Sequence, residues 1–330
     1  MPELPEVETV RRGLERLVIG SPIAAVAVLA PASLRGDPAS LIGRRFVRAW
    51  RRGKVLGLDL DDGRCLVAHL KMTGQMVFRG PRAAGPRAAG PRAVGPPAGG
   101  AEAWGAGHPN DSLIGSLPDN STRVIVEFAG GARLYFNDQR KFGWLALMPQ
   151  SQVTAIPLLA KMGPEPLDAG AWPAARERLR RRRRSPIKAA LLDQSVVAGI
   201  GNIYADEALW ASRVHPATPV ASVTDRKLKE LLTAAAAVME LSLSLGGSTD
   251  RNYVDAEGRR GAYLDFAKVF RRQGQPCPRC GQPIIKIRVA GRGTHLCPRC
   301  QRWRPNGIGG KGDKGGRRDK SARLETPPRR

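Results

Sequence analysis

The residues best suited to chemistry stand at the start of the chain, where Pro2 follows Met1 and Glu3 follows Pro2. Removal of Met1 leaves Pro2 with a free secondary amine. An α-amino group has an unperturbed pKa of about 7.7–8.0, well below that of lysine, so much of it is neutral and nucleophilic near neutral pH. Its attack on an aldehyde-level carbon gives an iminium, a strong electron sink. With Met1 attached, the Pro2 nitrogen is an amide and cannot form an iminium.

A helix is predicted directly after these two residues. Val7, Val10 and Leu14 recur at spacings of three and four, which indicates one buried face. Pro5 is compatible with the first turn, where its missing N–H costs nothing. The positive end of this helix lowers the pKa of a nearby amine. The pattern therefore predicts an amine and a carboxyl held at the N-terminal end of a buried helix.

A metal centre is predicted near the other end of the chain. Two Cys-x2-Cys pairs are separated by sixteen residues, and their members are Cys277, Cys280, Cys297 and Cys300. This spacing is typical of one structural zinc ion, Zn2+, held by four thiolates with no open position for water. Between the pairs, Arg292 stands between two glycines at the tip of a predicted β-hairpin.

The composition indicates a polyanionic partner. The 330 residues include 54 Lys+Arg and 29 Asp+Glu, a net charge of +25. Only a small part comes from residues 305–330, which hold eight basic and three acidic residues. Nucleic acid is the usual partner of such a protein, and a membrane surface is a weaker alternative. No apolar run approaches the length of a membrane span and no signal-peptide core is present, so we expect a cytoplasmic protein.

Changes in composition divide the chain into five parts, and the predicted fold class is α+β multidomain. Residues 1–150 read as short strands after the N-terminal helix, with a low-complexity Gly-Pro-Arg insert at 79–119 predicted to be disordered. Residues 151–184 read as a linker that ends in five arginines. Residues 185–266 are predicted to be helical and 267–303 to form the zinc finger. Residues 304–330 are predicted to be a disordered basic tail.

Several of these stretches resemble the formamidopyrimidine-DNA glycosylase family, bacterial enzymes that excise oxidised purines from DNA. The matching stretches are 2–9, 52–54, 69–74, 137–143, 163–167, 199–205 and the four cysteines. The resemblance runs from Pro2 to about Trp303, apart from the insert. It implies an N-terminal β-sandwich carrying the catalytic helix, a helix–two-turn–helix domain and a β-hairpin zinc finger.

The resemblance also implies a bifunctional glycosylase and AP lyase, with four residues in catalytic roles. Pro2 attacks C1′ of the damaged nucleotide, and Glu3 protonates the sugar ring oxygen. Lys54 matches the β-hairpin lysine that grips phosphate and aids β-elimination. Arg292 matches the finger arginine linked to phosphate binding and δ-elimination. The C2′ protons become acidic in the iminium, so strand cleavage follows from the same intermediate.

The implied partner is double-stranded DNA containing an oxidised base, which must leave the stack before it is excised. The residues that match DNA contacts of the family are Met72, Arg140, Phe142, Arg183, Lys188 and Asn202. The first three fill the space left by the flipped base. Without the resemblance, Met72 and Phe142 read as ordinary core residues and the arginine run as a solvated linker. We expect a monomer, associated with the bacterial nucleoid and not with a membrane.

Two differences from the family and two alternative functions remain open from the sequence alone. Asn120-Ser121 replaces a Lys-His pair of the family, so one DNA contact is lost or replaced. The stretch 248–261, where the family reads the lesion, does not assign the preferred lesion or opposite base. One alternative is an endonuclease VIII-like enzyme for oxidised pyrimidines. The other is a non-catalytic, zinc-containing DNA-binding protein in which Met1 is retained.

Overall fold

The computed structural model describes residues 1–81, 103–107, 116–248 and 263–303. They form two compact units: Met1–Ala160 with Leu241–Leu264, and Lys161–Glu240 with Asp265–Arg330. The predicted basic tail at 304–330 lies outside the described residues, as does most of the stretch predicted to read the lesion. Among the helices in the described ranges, none is both long and apolar enough to cross a membrane.

The first unit is built from one long helix and ten strands in the described residues. Its helices are α1 (Leu4–Leu17), α2 (Gln150–Val153) and α3 (Pro157–Ala160), with short 3-10 turns at Pro31–Ser33 and Ala39–Leu41. Its strands are β1 (Ile23–Val28), β2 (Leu34–Arg35), β3 (Phe46–Arg52), β4 (Val55–Leu60), β5 (Arg64–His69), β6 (Gly74–Arg79), β7 (Ala103–Gly107), β8 (Thr122–Phe128), β9 (Arg133–Asp138) and β10 (Trp144–Pro149). The predicted helix after Pro2 is confirmed, with Val7, Val10 and Leu14 buried on one face.

The strands form the predicted β-sandwich. One sheet has the order β1-β8-β9-β6-β7 and the other β2-β10-β5-β4-β3, with antiparallel pairing except between β10 and β2. Alternate residues of both sheets enter one apolar core, as the two-residue period of a strand requires. Phe46 of one sheet meets Phe128 of the other edge to face, with ring centroids 6.3 Å apart. The sandwich is the rigid support on which α1 rests.

The prediction of a disordered insert over 79–119 is wrong at Ala103–Gly107, which pairs with β6 as the edge strand β7. Trp104 is 5% exposed and belongs to the core. Its indole lies against the backbone of α1 at Gly13, where an added Cβ atom would stand 2.0 Å from the ring. Leu117 is also buried. Burial of these apolar side chains outweighs the low-complexity composition around them.

The contact between α1 and β7 predicts an unusual effect of a Gly→Ala substitution on stability. Gly→Ala inside a helix normally stabilises a protein by about 0.5–1 kcal/mol. Here we expect Gly13→Ala to destabilise the protein by about 1–3 kcal/mol in urea unfolding, because the new methyl group overlaps the Trp104 ring. In a Trp104→Val background, Gly13→Ala should stabilise the protein, as this substitution normally does in a helix. Stabilisation by Gly13→Ala in the wild-type background would show that this packing is wrong.

The second unit is helical and ends in a small hairpin. Its elements are α4 (Trp172–Arg181), α5 (Ile187–Leu192), α6 (Asn202–Ala211), α7 (Asp225–Ser244, whose last residues belong to the first unit), α8 (Tyr263–Phe266, which straddles the division), β11 (Ile285–Val289) and β12 (Arg292–Leu296), with 3-10 turns at Ala169–Ala171 and Val220–Ser222. The prediction of a linker over 151–184 is wrong at α4, since Ala175 and Leu179 are buried on its inner face. The arginines had masked this short amphipathic pattern.

Candidate active site and metal centre

Pro2 and Glu3 lie at the start of α1. Pro2 is buried, and Glu3 is 2% exposed at the N-cap position. The neighbouring Met1 is 45% exposed. The residue that must be removed to free the Pro2 nitrogen is thus accessible, while the nitrogen itself adjoins the positive end of a buried helix.

A buried carboxylate that sequence reasoning missed holds this end of the helix. The Glu3 backbone N–H donates to Glu6 Oε2 at 2.8 Å. The other oxygen, Glu6 Oε1, accepts from the Ser248 backbone N–H at 2.8 Å and from its hydroxyl at 2.7 Å. Glu6 therefore fixes the peptide unit that joins Pro2 to Glu3. Its position three residues after the N-cap is the spacing of a capping box, which was the available signal.

Lys54 lies in the tight turn between β3 and β4, where Gly53 has a φ of +56°, and is 6% exposed. The Arg51 guanidinium spans from Glu8 Oε2, 3.1 Å from its Nε, to the Gly53 carbonyl, which accepts from its Nη1 at 3.0 Å. Burial alone would raise the pKa of Glu8, but hydrogen bonds from Arg51 and two arginines of α1 hold it below its usual value. This bridge ties the turn carrying Lys54 to the helix that begins beside Pro2.

Asp138 joins the two loops that carry the predicted void-filling residues. It accepts a short hydrogen bond from the Thr73 hydroxyl, in the loop of Met72. Its other oxygen, Oδ2, accepts from the Gly143 backbone N–H at 2.6 Å, and the Arg140 N–H donates to Thr73 Oγ1 at 3.0 Å. The loops between β5 and β6 and between β9 and β10 are thereby held together. The structure thus brings together two sequence motifs that lie far apart in the chain.

The side chains on these loops suit contact with stacked bases. Phe142 is 54% exposed, which is unusual for a large apolar ring. The Arg140 guanidinium carbon lies 4.9 Å from the centre of that ring. Met72, on the other loop, is half-buried and follows Lys71, which has a φ of +51°. The reading of Phe142 as a core residue is therefore wrong.

His69 shapes the turn that leads to Met72. The imidazole is 8% exposed, and its Nδ1 accepts the Lys71 backbone N–H at 3.0 Å. Burial, together with the nearby charges of Lys71 and Lys54, lowers the pKa of His69 to about 3. A proton on Nδ1 would break the bond to Lys71, so the folded protein keeps this ring neutral.

This buried histidine predicts a loss of stability in mild acid. An unfolded chain protonates histidine near pH 6.5, whereas folded His69 resists protonation down to about pH 3. The unfolded state therefore binds more protons, and stability falls as the pH drops through this window, by about 2 kcal/mol at pH 5. His69→Gln should flatten the pH dependence of urea unfolding between pH 7 and 5. An unchanged slope in this variant would contradict the assignment.

In the second unit, Asn202 contacts the hairpin at the residue after Arg292. Arg292 is exposed at the start of β12, just after a turn in which Ala290 and Gly291 have φ values of +48° and +77°. Asn202, the first residue of α6, donates from Nδ2 to the Gly293 carbonyl at 3.1 Å. An amide nitrogen carries two hydrogens, so this bond is compatible with a second acceptor such as a phosphate oxygen.

The prediction that Lys188 contacts DNA is wrong. Its side chain is 0% exposed, and its ammonium lies 2.7 Å from Asp206 Oδ1, which is also fully buried. The same ammonium donates to the Gly293 carbonyl at 3.0 Å and to Thr294 Oγ1 at 2.8 Å. A cation with these partners and no access to solvent cannot reach a phosphate. The sequence pattern placed Lys188 correctly on α5 but carried no signal for the burial of its side chain.

Two further positions were singled out in the sequence. Arg183 lies in the exposed stretch just after α4, and in the described structure no acidic side chain pairs with it. Ser121, at the position of the family histidine, is 6% exposed, and its hydroxyl donates to Asp119 Oδ1 at 2.7 Å. The Ser121 side chain is therefore engaged in a hydrogen bond within its own loop.

The four predicted zinc ligands are brought together. The sulfur atoms of Cys277, Cys280, Cys297 and Cys300 all lie within 4.8 Å of one another. Tetrahedral zinc with bonds of about 2.3 Å separates its sulfur ligands by about 3.8 Å, and two of the sulfur pairs here are 3.4 and 4.0 Å apart. The residues therefore fit one zinc ion. Four thiolates complete its coordination, so the ion stabilises the finger and does not activate water.

The metal centre is also attached to α6. The indole Nε1 of Trp210 donates to Cys277 Sγ at 3.4 Å. Arg279 covers the face of that indole, 4.0 Å from its ring centre, and donates to the Trp210 carbonyl at 3.0 Å. Hydrogen bonds of this kind orient metal ligands. The hairpin is therefore fixed to the helical part of its own unit through the zinc site.

Models of three domain families match the chain. The N-terminal domain of formamidopyrimidine-DNA glycosylase matches residues 1–145, and its H2TH domain matches residues 162–253. The zinc finger found in FPG and IleRS matches residues 274–302. These ranges cover α1, the helices around Asn202 and the four cysteines.

Full-length relatives agree with these matches. The chain is 39% identical over 310 residues to formamidopyrimidine-DNA glycosylase of Streptococcus pyogenes serotype M28, covering 92% of this chain and 100% of that protein. It is 40% identical over 306 residues to the enzyme of Chloroflexus aurantiacus, covering 91% and 98%.

Solved structures give the same result. Lactococcus lactis Fpg in complex with DNA containing an abasic site has a TM-score of 0.74 at 31% identity, covering 91% of this chain and 100% of that one. A mutant of the same protein in complex with DNA containing Fapy-dG has a TM-score of 0.74 at 32% identity, covering 92% and 100%. The motifs, the fold, the four-cysteine site and these relatives agree, and the chain belongs to the formamidopyrimidine-DNA glycosylase family.

Proposed function

We propose that the Pro2 amine is the nucleophile of a bifunctional DNA glycosylase and AP lyase that excises oxidised purines such as 8-oxoguanine and formamidopyrimidines. Family membership makes the chain a DNA glycosylase of base excision repair. One observation supports the nucleophile most strongly. Pro2 is buried at the start of α1, and the peptide after it is held by the Glu6 carboxylate at 2.8 Å. A nucleophile positioned in this way needs little reorganisation before it attacks.

The proposed reaction begins on the sugar of the extruded nucleotide. The lone pair of the Pro2 nitrogen forms a bond to C1′, and the bond from C1′ to the base breaks with its electron pair leaving on the base. The proton of the Pro2 nitrogen passes to the departing base, which frees the nitrogen lone pair to open the sugar. Glu3, 2% exposed beside Pro2, gives its proton to the ring oxygen as the sugar opens. The product is a cationic iminium between Pro2 and C1′.

Strand cleavage uses the same intermediate. The iminium draws electrons from C2′, a C2′ proton is lost, and the 3′-phosphate leaves in β-elimination. A second elimination expels the 5′-phosphate, and water releases the sugar fragment and regenerates the amine. Lys54 is proposed to hold phosphate during the first elimination. Arg292 and Asn202 are proposed to hold phosphate during the second, and the exposure of Arg292 supports this role.

The duplex must be opened before the reaction, and exposed groups on the loops joined by Asp138 support this step. Phe142, stacked on Arg140 at 4.9 Å, is proposed to wedge beside the partner base. Met72 is proposed to enter the space that the flipped base leaves. Arg183 is proposed to contact the phosphate backbone outside the lesion, where its charge adds affinity without sequence preference.

The proposed partner is duplex DNA bound by one copy of the chain in the bacterial cytoplasm, at the nucleoid. The net charge of +25 supports a polyanionic partner. The solved relatives include complexes with abasic-site DNA and with DNA containing an oxidised pyrimidine. The second of these makes a pyrimidine lesion a necessary comparison in any test of substrate preference.

Borohydride trapping tests this proposal. The protein is first shown by mass spectrometry to lack Met1. It is then mixed with duplexes containing 8-oxoguanine opposite cytosine, or an oxidised pyrimidine, in the presence of borohydride, which reduces the iminium to a stable amine. We expect a covalent complex that forms faster with the 8-oxoguanine duplex than with the pyrimidine duplex.

The other outcomes separate the alternatives. A complex formed only with the pyrimidine duplex would keep Pro2 as the nucleophile but replace the proposed substrate with that of endonuclease VIII-like enzymes. No complex with either duplex, in protein that lacks Met1 and binds DNA, would refute the amine mechanism. The non-catalytic DNA-binding reading would then be the better one.

A further inference from the structure

The second unit contains a fully buried ion pair that the proposed reaction does not use. Lys188 on α5 and Asp206 on α6 are each 0% exposed, and their charged atoms are 2.7 Å apart. Transfer of two charges out of water costs several kcal/mol per ion, and the attraction between them offsets this only when further hydrogen bonds complete both groups. The identity of those further partners therefore indicates what the pair does.

The further partners are on the hairpin, in the three residues that directly follow Arg292. The Lys188 ammonium donates to the Gly293 carbonyl at 3.0 Å and to the Thr294 hydroxyl at 2.8 Å. The second oxygen of Asp206 accepts the His295 backbone N–H at 2.9 Å. Two helices thus hold consecutive residues of one short strand through a cation and an anion.

Zinc cannot supply this restraint. The nearest metal ligand along β12 is Cys297, five residues after Arg292, which corresponds to about 16 Å of extended strand. An isolated two-stranded hairpin is marginally stable in water. The five pairs from Ile285 with Leu296 to Val289 with Arg292 connect β11 only to β12. Without a second attachment, the end of the hairpin that carries Arg292 would swing about its zinc-bound base.

We propose that Lys188 and Asp206 are positioning residues that hold the tip of the zinc hairpin, and with it Arg292, in the orientation that meets DNA phosphate. The proposal rests on the phosphate-binding role given to Arg292 above. Asn202 shares the Gly293 carbonyl with Lys188, at 3.1 Å, so the same network also sets the Asn202 amide. The two proposed phosphate donors of this unit are therefore aligned by a fully buried charge pair.

The test is a double-mutant cycle between the ion pair and Arg292. Lys188→Met with Asp206→Asn removes both charges together, so no unpaired buried charge is left and the net charge is unchanged. Arg292→Ala removes the guanidinium. Affinity is measured for a duplex with a stable abasic-site analogue. We expect each change to weaken binding by about 10- to 100-fold, the range for one hydrogen bond to a charged group. We expect their combination to weaken binding by clearly less than the product of the two separate effects, because only the part of the pair's effect that acts through Asn202 remains once Arg292 is removed.

Two readouts separate positioning from general damage to the fold. Hydrogen exchange in the free protein should show lost protection at residues 292–295, with zinc content unchanged. In the reaction, the ratio of δ- to β-elimination products should fall while borohydride trapping at saturating DNA is retained. Lys227→Met with Glu230→Gln is the matched control, because this partly exposed pair on α7 is 2.6 Å apart and does not touch the hairpin.

Three results would overturn the inference. Independent, multiplying effects of the ion pair and Arg292 would show that the pair acts elsewhere. Unchanged exchange at 292–295 would show that the hairpin does not need it. Loss of zinc in the double variant, or in Asp206→Asn alone, would show a general structural role. Failure of the proposed function has a different signature, since wild-type protein lacking Met1 would then form no borohydride complex.

Discussion

Pro2→Gln is expected to abolish borohydride trapping while leaving affinity for abasic-analogue DNA within a few fold of wild type. Methionine aminopeptidases cut before small residues, so this variant keeps Met1 and its only α-amine moves by about 3.8 Å, one residue along the chain. That amine belongs to an exposed residue rather than to the buried start of α1. Loss of an enzyme nucleophile lowers the rate on the order of 10⁶-fold, which places the reaction below detection.

Pro2→Gly is the matched control for this prediction. Glycine permits removal of Met1 and leaves a primary amine at the same place, so a slower trapping reaction should persist. Its imine must gain a proton before it becomes an electron sink, unlike the iminium that Pro2 forms. Trapping by Pro2→Gln at the wild-type rate would eliminate the Pro2 nitrogen as the nucleophile. Equal loss in both variants would point to a requirement for the ring rather than for the amine.

Cys297→Ser is expected to remove the zinc ion and to weaken DNA binding by about 10- to 100-fold, the contribution of one charged contact such as that of Arg292. The buried core of the finger consists of Val269, Cys277, Ile284 and Cys297 among the described residues. So small a core cannot replace a metal whose binding contributes about 10–16 kcal/mol in zinc-finger peptides. Zinc content, the dissociation constant for abasic-analogue DNA and the trapping rate are the measurements.

Borohydride trapping by Cys297→Ser shows whether zinc serves DNA binding alone or also the amine chemistry. Pro2 belongs to the first unit, so the covalent complex should still form when DNA is saturating. Cys65→Ala is the control, since this cysteine is fully buried in β5 and lies outside the zinc cluster. It should lower stability by about 1 kcal/mol and leave zinc content and DNA affinity unchanged. Loss of trapping along with zinc in Cys297→Ser would require a direct part for the finger in amine chemistry.

Local chemistry was predictable from the sequence because each signal lies within a few residues. The amine of Pro2 depends only on its place after Met1. The ligand spacing of the four cysteines is short enough for one hairpin to bring them together. The helix that begins at Leu4 follows from the three- and four-residue period of its buried face. Each of these predictions needed no knowledge of what packs against the segment.

The errors share the opposite cause. Lys188 was assigned to DNA because it matches a DNA-contacting lysine of the family, and the sequence carries no signal that Asp206 and the hairpin would bury it. Trp104 was assigned to a disordered insert because its neighbours are low in complexity, yet its ring packs on Gly13, far away in the sequence. Both depend on contacts between distant segments, which local periodicity cannot report.

The sequence by itself determined the candidate reactive groups of this protein: a proline directly behind Met1 and beside a carboxyl, four cysteines with zinc spacing, and a large positive charge. The tertiary structure alone decided how those groups are held. Glu6 fixes the peptide after Pro2, Asp138 joins the loops of Met72 and Phe142, and Asp206 with Lys188 grips the strand after Arg292. The physical reason is that reactivity resides in single side chains, whereas buried carboxylates acquire their function only from the donors that folding places around them.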